Sequence, residues 1–365
     1  MTAPAKRASW PDALHAAPAR GAGVRRGAVI GLGGIARHAH LPAFVDDPAV
    51  RARLEIVATV DAGTGVQPIP SIRHLARRDE LSAVWPIDFV DICTPTATHL
   101  ELVLWALQEG YHVLCEKPVA VTREEAWRIA VAARAAGRVV VPCHQYRFNP
   151  VWRRVREWLD QGVIGRWHLA EFHVYRLMAD RGASGDATPW RARAADSRGG
   201  VLLDHGTHLI YQMLDVAGVP DAVRAWTGRL RHHDYDVEDS AHLLFEYPER
   251  LGLMFLTWGA RHRENRVRFV GELGSIEWVG GVLRVERDGV VETFDYTAEL
   301  DKSAYSSWFS GLFTEFADAM AEDRREPYLR DIADVAAVLE CAYESARTGC
   351  RAPLSHGDGA VSAGE

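Results

Sequence analysis

The chain has 365 residues, 48% of them hydrophobic, and a formal net charge of −7 at neutral pH. A chain of this length forms one large core or, at ordinary domain sizes, two domains. Its basic residues are spread along the whole sequence, and it contains no apolar run of the roughly 20 residues that span a bilayer. We therefore expect neither a nucleic-acid partner nor a membrane partner.

The composition of the two termini predicts which segments lack fixed structure, and the cysteines indicate the cellular compartment. Residues 1–25 are rich in Ala, Pro, Gly and Arg without periodicity, so we expect a flexible arm, and we expect a disordered tail at 355–365. Arg25 and Arg26 resemble a twin-arginine export signal, but cleavage there would remove a strand that the nucleotide site needs. The five cysteines form no CxxC pair, which favours a cytoplasmic location and argues against a structural zinc site.

From residue 26 to residue 146, short apolar strands alternate with helical patterns. Within this region Thr122 and Glu125 have the spacing of a capping box, and Gly137 is placed to end the helix that they begin. The alternation predicts parallel strands with helical crossovers, as in a Rossmann dinucleotide-binding domain. The segment after Asp61 is too short for a full helix, so we expect a trimmed crossover there.

Residues 147–354 have a different pattern. A helix and a strand come first, then a helix that follows two glycines, and then consecutive strands without helices between them. Such strands predict an antiparallel sheet. The predicted fold class is α/β, with an N-terminal Rossmann domain and a C-terminal α/β domain that contains a large, mainly antiparallel open sheet.

The stretch "GAVIGLGGIARHAH" contains a candidate nucleotide-binding loop. Gly31, Gly33 and Ala36 form a G-x-G-x-x-A pattern between a strand and a helix, and Gly34 and Ile35 lie inside it. Gly31 suits a tight turn, Gly33 lets backbone approach a pyrophosphate, and Ala36 allows close helix packing. The helix N-terminus then offers free N–H groups to the phosphates. The loop predicts binding of a dinucleotide.

Asp61 ends the second strand, where a dinucleotide fold places an acid against the adenosine ribose. A carboxylate there repels a 2′-phosphate, so the sequence favours NAD over NADP. Two alternatives stay open: Asp61 is only a solvated strand-end residue, or Arg73 approaches a phosphate and the cofactor is NADP.

Lys117 is one of three lysines in a chain that has 42 basic residues. It follows a predicted parallel strand in "VLCEKPVAV", where arginine would match the background composition. Lysine differs from arginine because its pKa falls when it is desolvated, whereas guanidinium stays charged. A role in proton transfer explains the choice. The alternative is a structural salt bridge.

Asp204 and His208 form a second candidate constellation, in "GGVLLDHGTHLI". They are four residues apart, so on an α-helix they share one face, and Gly206 between them leaves room for a ligand. Histidine is a good general base, and a neighbouring carboxylate orients it or stabilises its cation. His205 and His208 also have the spacing of a metal pair, but no further ligands at convincing spacing follow, so we expect no metal.

Taken together, these stretches resemble the Gfo/Idh/MocA family of oxidoreductases from about residue 26 to residue 354. The likeness lies in "GLGGIA", "DICTPTATH", "CEKPVA", "YRFNP", "GGVLLDHGTH", "VEDSA", "GELGSIEW" and "ESARTG". E-K-P together with G-G-x-x-x-D-x-G-x-x-H is a specific combination. The resemblance implies an NAD(P)-dependent enzyme whose C-terminal domain binds substrate and whose open sheet forms the contacts of a homo-oligomer.

The resemblance also implies roles for single residues. The family's catalytic set matches Lys117, Asp204 and His208. The positions that line the nicotinamide end of the cofactor match Thr94, Pro95, His99, Glu116 and Lys117, and Pro118 matches a proline that follows a cis bond. Residues expected to reach the substrate are Arg147, Tyr175, Asp204 and His208.

The sequence predicts reversible hydride transfer between nicotinamide and a secondary hydroxyl of a sugar, aminosugar or cyclitol. One alternative is redox-neutral glycoside cleavage or epimerisation through a transient ketone, and another is a regulator that binds a dinucleotide without catalysis. Residues 176–198 contain five arginines, which either bind a phosphate or nucleotide-linked sugar or form a solvated loop. The sequence does not name the substrate.

Overall fold

A computed structural model describes residues 23–63, 69–70, 72–83, 86–181, 188–300 and 306–354. The predicted tail and nearly all of the predicted N-terminal arm lie outside the described residues. Within the described ranges, no helix combines the length and the apolar character needed to cross a membrane.

The first sheet has six parallel strands in the order β3-β2-β1-β4-β5-β6. They are β1 (Arg25–Ile30), β2 (Leu54–Val60), β3 (Arg73–Leu75), β4 (Phe89–Ile92), β5 (His112–Cys115) and β6 (Val140–Pro142). The strand order reverses between β1 and β4, which opens a crevice at the carboxyl ends of these strands. The predicted Rossmann domain is confirmed, although the sequence analysis did not include β3.

The helices of this region are α1 (Leu41–Asp46), α2 (Pro48–Arg51), α3 (His99–Gln108) and α4 (Arg123–Ala136). A π-helical turn at Ala36–His40 leads directly into α1. The predicted capping residues are confirmed, since the Thr122 side chain accepts the Glu125 N–H and Gly137 ends α4 with φ of 62°. The described part of the crossover after Asp61 contains β3 and a 3₁₀ turn at Arg78–Ala83.

The second sheet has nine strands in the order β14-β13-β12-β11-β7-β10-β9-β8-β15. They are β7 (Trp167–Tyr175), β8 (Ala222–Gly228), β9 (Ser240–Glu246), β10 (Leu251–Thr257), β11 (Glu264–Gly271), β12 (Gly274–Val279), β13 (Val282–Arg287), β14 (Val290–Asp295) and β15 (Ala352–Pro353). The pair β7 and β10 is parallel and the other pairs are antiparallel. The predicted, mainly antiparallel sheet is confirmed; β14 and β15 were not predicted.

The described chain from residue 147 onwards also contains five α-helices: α5 (Pro150–Asp160), α6 (Ala194–Ser197), α7 (Thr207–Ala217), α8 (Ser306–Glu322) and α9 (Glu326–Thr348). Helix α8 follows the second sheet in sequence but packs on the first domain, where the Phe313 ring stacks on Phe44 with centroids 4.1 Å apart. Helix α9 contacts both α4 and α7. These two helices therefore connect the domains and hold the carboxyl edge of the first sheet against α7.

Candidate active site at the domain junction

The glycine loop after β1 has the shape that a pyrophosphate needs. Gly31 has φ of 91°, and a Cβ on it would lie 2.9 Å from the Cys93 carbonyl oxygen. A Cβ on Gly33 or on Gly34 would meet nothing within 4 Å. The helical segment that contains Ile35 begins directly after this open space. The loop therefore fits a dinucleotide bound across the N-terminus of a helix.

Asp61 lies at the end of β2 and is tied to the same loop. Its Oδ2 accepts the Leu32 N–H at 2.7 Å, and its Oδ1 accepts the Gly63 N–H at 2.8 Å. Each carboxylate oxygen has two acceptor positions, so ribose hydroxyls can still bind there. Arg73, in the adjacent strand β3, pairs with Ala58 of β2 and keeps an exposed side chain at this edge.

The loops after β4 and β5 are joined by His99. Its Nε2 lies 2.9 Å from the Thr94 carbonyl oxygen and its Nδ1 lies 2.8 Å from the Pro118 carbonyl oxygen. Pro95 precedes the 3₁₀ turn that leads to His99, and the peptide bond between Lys117 and Pro118 is cis. The predicted nicotinamide-side residues of the two loops therefore lie together at the carboxyl edge of the first sheet.

Glu116 is buried and bonds to a residue that the sequence analysis did not consider. His40 contacts Glu116 Oε1 through Nε2 at 3.0 Å and Asp91 Oδ2 through Nδ1 at 2.8 Å. Although burial opposes a charge there, Asp91 holds the pKa of His40 well above its ordinary value. With Cys93 and Cys143 nearby, the cluster contains metal-ligand residue types, yet hydrogen bonds already use both ring nitrogens. Glu116 therefore faces an internal ion pair beneath the lysine loop.

Lys117 reaches across the domain junction to Asp204. Its Nζ donates to the Asp204 carbonyl oxygen at 2.6 Å and to Asp204 Oδ1 at 2.8 Å. Arg191 Nε lies 3.5 Å from the other carboxylate oxygen. Burial opposes ionisation, but Lys117, with smaller contributions from His205 and Arg191, holds the pKa of Asp204 well below its usual range. Asp204 is therefore an ionised carboxylate that positions the ammonium.

His208 lies on the first turn of α7 and is held on two sides. Its Nδ1 is 2.9 Å from the Tyr211 hydroxyl, and the Tyr146 ring stacks on the imidazole at a centroid distance of 4.3 Å. Burial, reinforced by the Lys117 charge, lowers the pKa of His208 well below its ordinary value. The ring is therefore neutral at pH 7. Tyr211 was not predicted as a site residue, although its i, i+3 spacing from His208 was a usable signal.

The segment before α7 differs from the predicted regular helix. Leu202–Gly206 forms a π-helical turn, and Gly206 is buried. A Cβ on Gly206 would lie 3.1 Å from Leu256 Cδ1 on β10. The prediction that Gly206 leaves room for a ligand is therefore wrong, because the wider turn directs this glycine against the second sheet.

Two predicted substrate residues have other contacts. Arg147 makes two hydrogen bonds to the Asp331 carboxylate, at 2.6 and 2.7 Å, which tie it to α9. The Tyr175 hydroxyl lies 3.1 Å from His173 Nδ1, and both residues lie on the face of β7 opposite the core. The structure therefore does not bring Arg147 or Tyr175 to the open side of His208, and their contact with substrate stays a prediction.

The arginines of the 176–198 segment have separate environments. Arg193 pairs with Asp196 at 2.6 Å, and Arg198 pairs with Glu125 of the first domain at 2.7 Å. Arg191 lies beside Asp204, and Arg176 is buried under the site. Residues 182–187 of this segment lie outside the described residues. The ion pairs of Arg193 and Arg198 therefore use part of this segment to stabilise the fold.

Comparison with known proteins gives matches to both domains. A family model described as "Oxidoreductase family, NAD-binding Rossmann fold" matches residues 25–144, and the "GFO/IDH/MocA C-terminal domain" matches residues 152–277. D-glucoside 3-dehydrogenase of Escherichia coli K12 is 30% identical over 205 residues, which are 53% of this chain and 54% of that protein. The NADP(+)-dependent scyllo-inositol 2-dehydrogenase IolW of Bacillus subtilis is 26% identical over 51% of this chain and 50% of that protein.

These matches span about half the length of both curated relatives. Among solved structures, a levoglucosan dehydrogenase in complex with NADH and levoglucosan superposes with a TM-score of 0.76 at 20% identity. That match covers 90% of this chain and 99% of the other chain. At this level of identity the likeness concerns the fold.

Proposed function

Because the chain belongs to the Gfo/Idh/MocA family of oxidoreductases, we propose that it transfers a hydride between a nicotinamide dinucleotide and a secondary hydroxyl of a sugar or cyclitol. The observation that carries the proposal is the convergence of Lys117 and Asp204 with His208 at the carboxyl edge of the nucleotide domain. The two curated relatives described above are named for a sugar derivative and a cyclitol. When bound, the nicotinamide ring accepts or donates the hydride.

His208 acts as the proton acceptor in the oxidative direction. Its Nδ1 is engaged by Tyr211, so Nε2 is the nitrogen that remains for a substrate hydroxyl. The lowered pKa keeps the imidazole in the neutral form that can accept a proton. Stacking on Tyr146 fixes the plane of the ring, so the acceptor atom keeps one direction.

Lys117 stabilises the oxygen that loses this proton. Two contacts to Asp204 direct the ammonium, and one of its three N–H groups remains for the substrate oxygen. A fixed cation beside a developing oxyanion stabilises the transition state without reorganisation.

The dinucleotide would be held in the crevice above the same edge by Gly31, Gly33, Gly34 and Asp61.

The cofactor preference follows from Asp61. An aspartate at the end of β2 can accept hydrogen bonds from ribose hydroxyls and disfavours a 2′-phosphate, so we favour NAD, with NADP as the alternative. Kinetic comparison of both coenzymes with one substrate measures this preference directly.

The proposal is tested with His208→Ala. The variant should lose about 10²- to 10⁴-fold in turnover of a sugar or inositol, because positioned proton transfer contributes that much. NAD affinity should stay within a few-fold of wild type, since His208 lies outside the glycine loop. Turnover close to wild type would sink the assignment. Substrate conversion without accumulation of reduced nicotinamide would favour the redox-neutral alternative.

The second sheet also suggests an assembly. Its face away from α7 exposes large apolar side chains, including Trp226 at 45% and Leu251 at 44% exposure. An open apolar sheet face is a typical interface between identical subunits. We infer a homo-oligomer through this face, which light scattering would measure.

The five free cysteines suit the reducing cytoplasm, where we place the protein.

A further inference from the structure

Arg176 is the most buried arginine among the described residues, with 7% of its surface exposed. It follows β7 and points to the inner side of the second sheet. Its Nη1 donates to the carbonyl oxygens of Tyr175 and Glu264 at 2.7 and 2.9 Å, and its Nη2 donates to Asn265 Oδ1 at 2.6 Å. All three acceptors are neutral groups.

The charge of Arg176 has no acid beside it in the described part of the chain. No described carboxylate oxygen forms a salt bridge with its guanidinium, whereas Arg147 pairs with both Asp331 and Asp215. Burial and the neighbouring Arg263 lower the pKa of Arg176 to about 10, and the smaller opposing effects of Tyr146 and of the more distant Asp204 do not offset them. A buried cation without a counter-ion is costly in a folded protein.

Some of the guanidinium N–H groups also remain without acceptors. A guanidinium has five N–H groups, and three of them are used by the described contacts. Among the described residues, Arg176 Nε has no hydrogen-bond partner, and neither has Gln212 Nε2, which borders the same cavity. Unsatisfied buried donors are rare and call for a missing acceptor.

Both side chains border one cavity next to His208. Its polar lining includes Arg176, His205, His208, Gln212, Asn265 and Arg266, and its apolar lining includes Val174, Val267 and Trp278. At about 20 Å³ it has space for one small polar group, which excludes a sugar ring or a nucleotide. The cavity is therefore a subsite for a substituent of the substrate, beside the imidazole that handles the proton.

We propose that this cavity receives a carboxylate of the substrate, so that the enzyme acts on a sugar acid. This inference rests on the proposed oxidoreductase function and names its substrate class. A carboxylate supplies the missing negative charge. Its oxygens can accept hydrogen bonds from the remaining N–H groups of Arg176 and Gln212, and the bonds from Arg176 are charge-assisted. A phosphoryl group is larger than a carboxylate and carries three oxygens, so a sugar phosphate serves as the comparison ligand.

Binding is tested with the NAD-loaded wild-type protein and calorimetry. The ligands are D-glucuronate, D-galacturonate and D-mannuronate, each compared with its parent aldose, and glucose 6-phosphate. We expect at least one acid to bind ten or more times tighter than its aldose, and glucose 6-phosphate to show no such gain. If no acid exceeds its aldose, or if the phosphate gains equally, the carboxylate subsite is wrong.

Variants then assign the effect to Arg176. Arg176→Gln should weaken binding of the preferred acid by about thirtyfold or more, which corresponds to loss of one partner of a buried charge pair. Arg176→Lys keeps the charge and should lose less. Arg193→Gln lies on the same segment with its own partner, Asp196, and should bind the acid as wild type does. Equal loss of acid and aldose binding in Arg176→Gln would show a structural role and overturn the inference.

The outcomes separate this inference from the proposed function. Turnover of neutral sugars with no preference for acids leaves the oxidoreductase function intact and removes the subsite. Binding of an acid that depends on Arg176, without reduction of NAD by any sugar or acid, keeps the subsite and contradicts the oxidoreductase function.

Discussion

Lys117 Nζ donates to two atoms of Asp204, the backbone oxygen at 2.6 Å and Oδ1 at 2.8 Å, although 87 residues separate them. Lys117 lies in the loop between β5 and α4, and Asp204 lies in the π-helical turn before α7. The contact therefore joins the nucleotide domain to the second domain at the site itself. A side chain held at two points presents its remaining N–H in one direction.

Lys117→Arg tests whether this cation must be an ammonium. The larger planar guanidinium can still pair with Asp204, but it does not fit the same space and does not give up a proton. Because the ammonium would no longer face the developing oxyanion, we expect turnover to fall by about 10²- to 10³-fold, with NAD affinity and thermal unfolding close to wild type. Steady-state kinetics measures the effect. Activity near wild type in this variant would mean that Lys117 serves only as a salt-bridge partner.

Tyr211→Phe tests the support of His208. The Tyr211 oxygen lies 2.9 Å from His208 Nδ1 and accepts the Tyr146 N–H at 3.1 Å. Loss of one such hydrogen bond corresponds to about 1 kcal/mol, so kcat should fall roughly fivefold while KM changes little. Tyr247→Phe removes a hydroxyl that bonds to Gly218 outside the site and should leave kcat unchanged. An unaltered kcat in Tyr211→Phe would contradict the positioning role.

The glycine loop provides a matched pair of substitutions. Gly31→Ala places a Cβ 2.9 Å from the Cys93 backbone at φ of 91°, so the variant should lose about 1–3 kcal/mol of unfolding free energy. Gly33→Ala meets nothing within 4 Å, so its stability should match wild type. The Gly33 methyl group nevertheless occupies the space where a pyrophosphate would approach, so NAD affinity should fall about tenfold or more. Urea unfolding and NAD titration separate the effects; unchanged NAD affinity in Gly33→Ala would refute the loop assignment.

His112 predicts a pH dependence of stability. Its Nδ1 accepts the Val139 N–H at 3.1 Å, and burial, with Arg138 and Arg25, lowers its pKa to about 4. The unfolded value is near 6.5. Between these values the unfolded chain binds a proton that the folded chain does not, so the free energy of unfolding falls as pH falls from about 6.5 towards 4.

His112→Asn keeps an acceptor for Val139 and removes the titration. From pH 7 to pH 5 this variant should lose about 1–2 kcal/mol less unfolding free energy than wild type, measured by urea denaturation. His233→Asn, at an exposed position, should follow wild type. The interpretation fails if His112→Asn and wild type lose the same free energy over this range.

Local patterns predicted the regular elements well. Thr122, Glu125 and Gly137 mark the ends of α4 because capping depends on residues three or four positions apart. The short strands β3 and β15 have three and two residues, which are too few to show a period. Strand β14 is exposed along its whole length, so it lacks the alternation by which a strand is recognised. Only pairing with a neighbour defines these three strands.

The site was predictable where a residue type is unusual in its context. Lys117 stands out against an arginine background, and Asp204 and His208 stand out by spacing. Arg176 does not stand out, because nothing in the sequence separates it from the many other arginines. The prediction that Gly206 leaves room for a ligand was wrong because it assumed 3.6 residues per turn, whereas the chain forms a π-helical turn there.

The sequence by itself determined the strand-loop-helix that binds a dinucleotide, the two-domain division of secondary structure and the presence of one exceptional lysine. These depend on neighbouring residues, whose spacing sets backbone geometry. The tertiary structure alone decided which charges are neutralised: Lys117 by Asp204, His40 between two carboxylates, and Arg176 by no described acid. Desolvation and pairing depend on groups that are distant along the chain and meet only after folding.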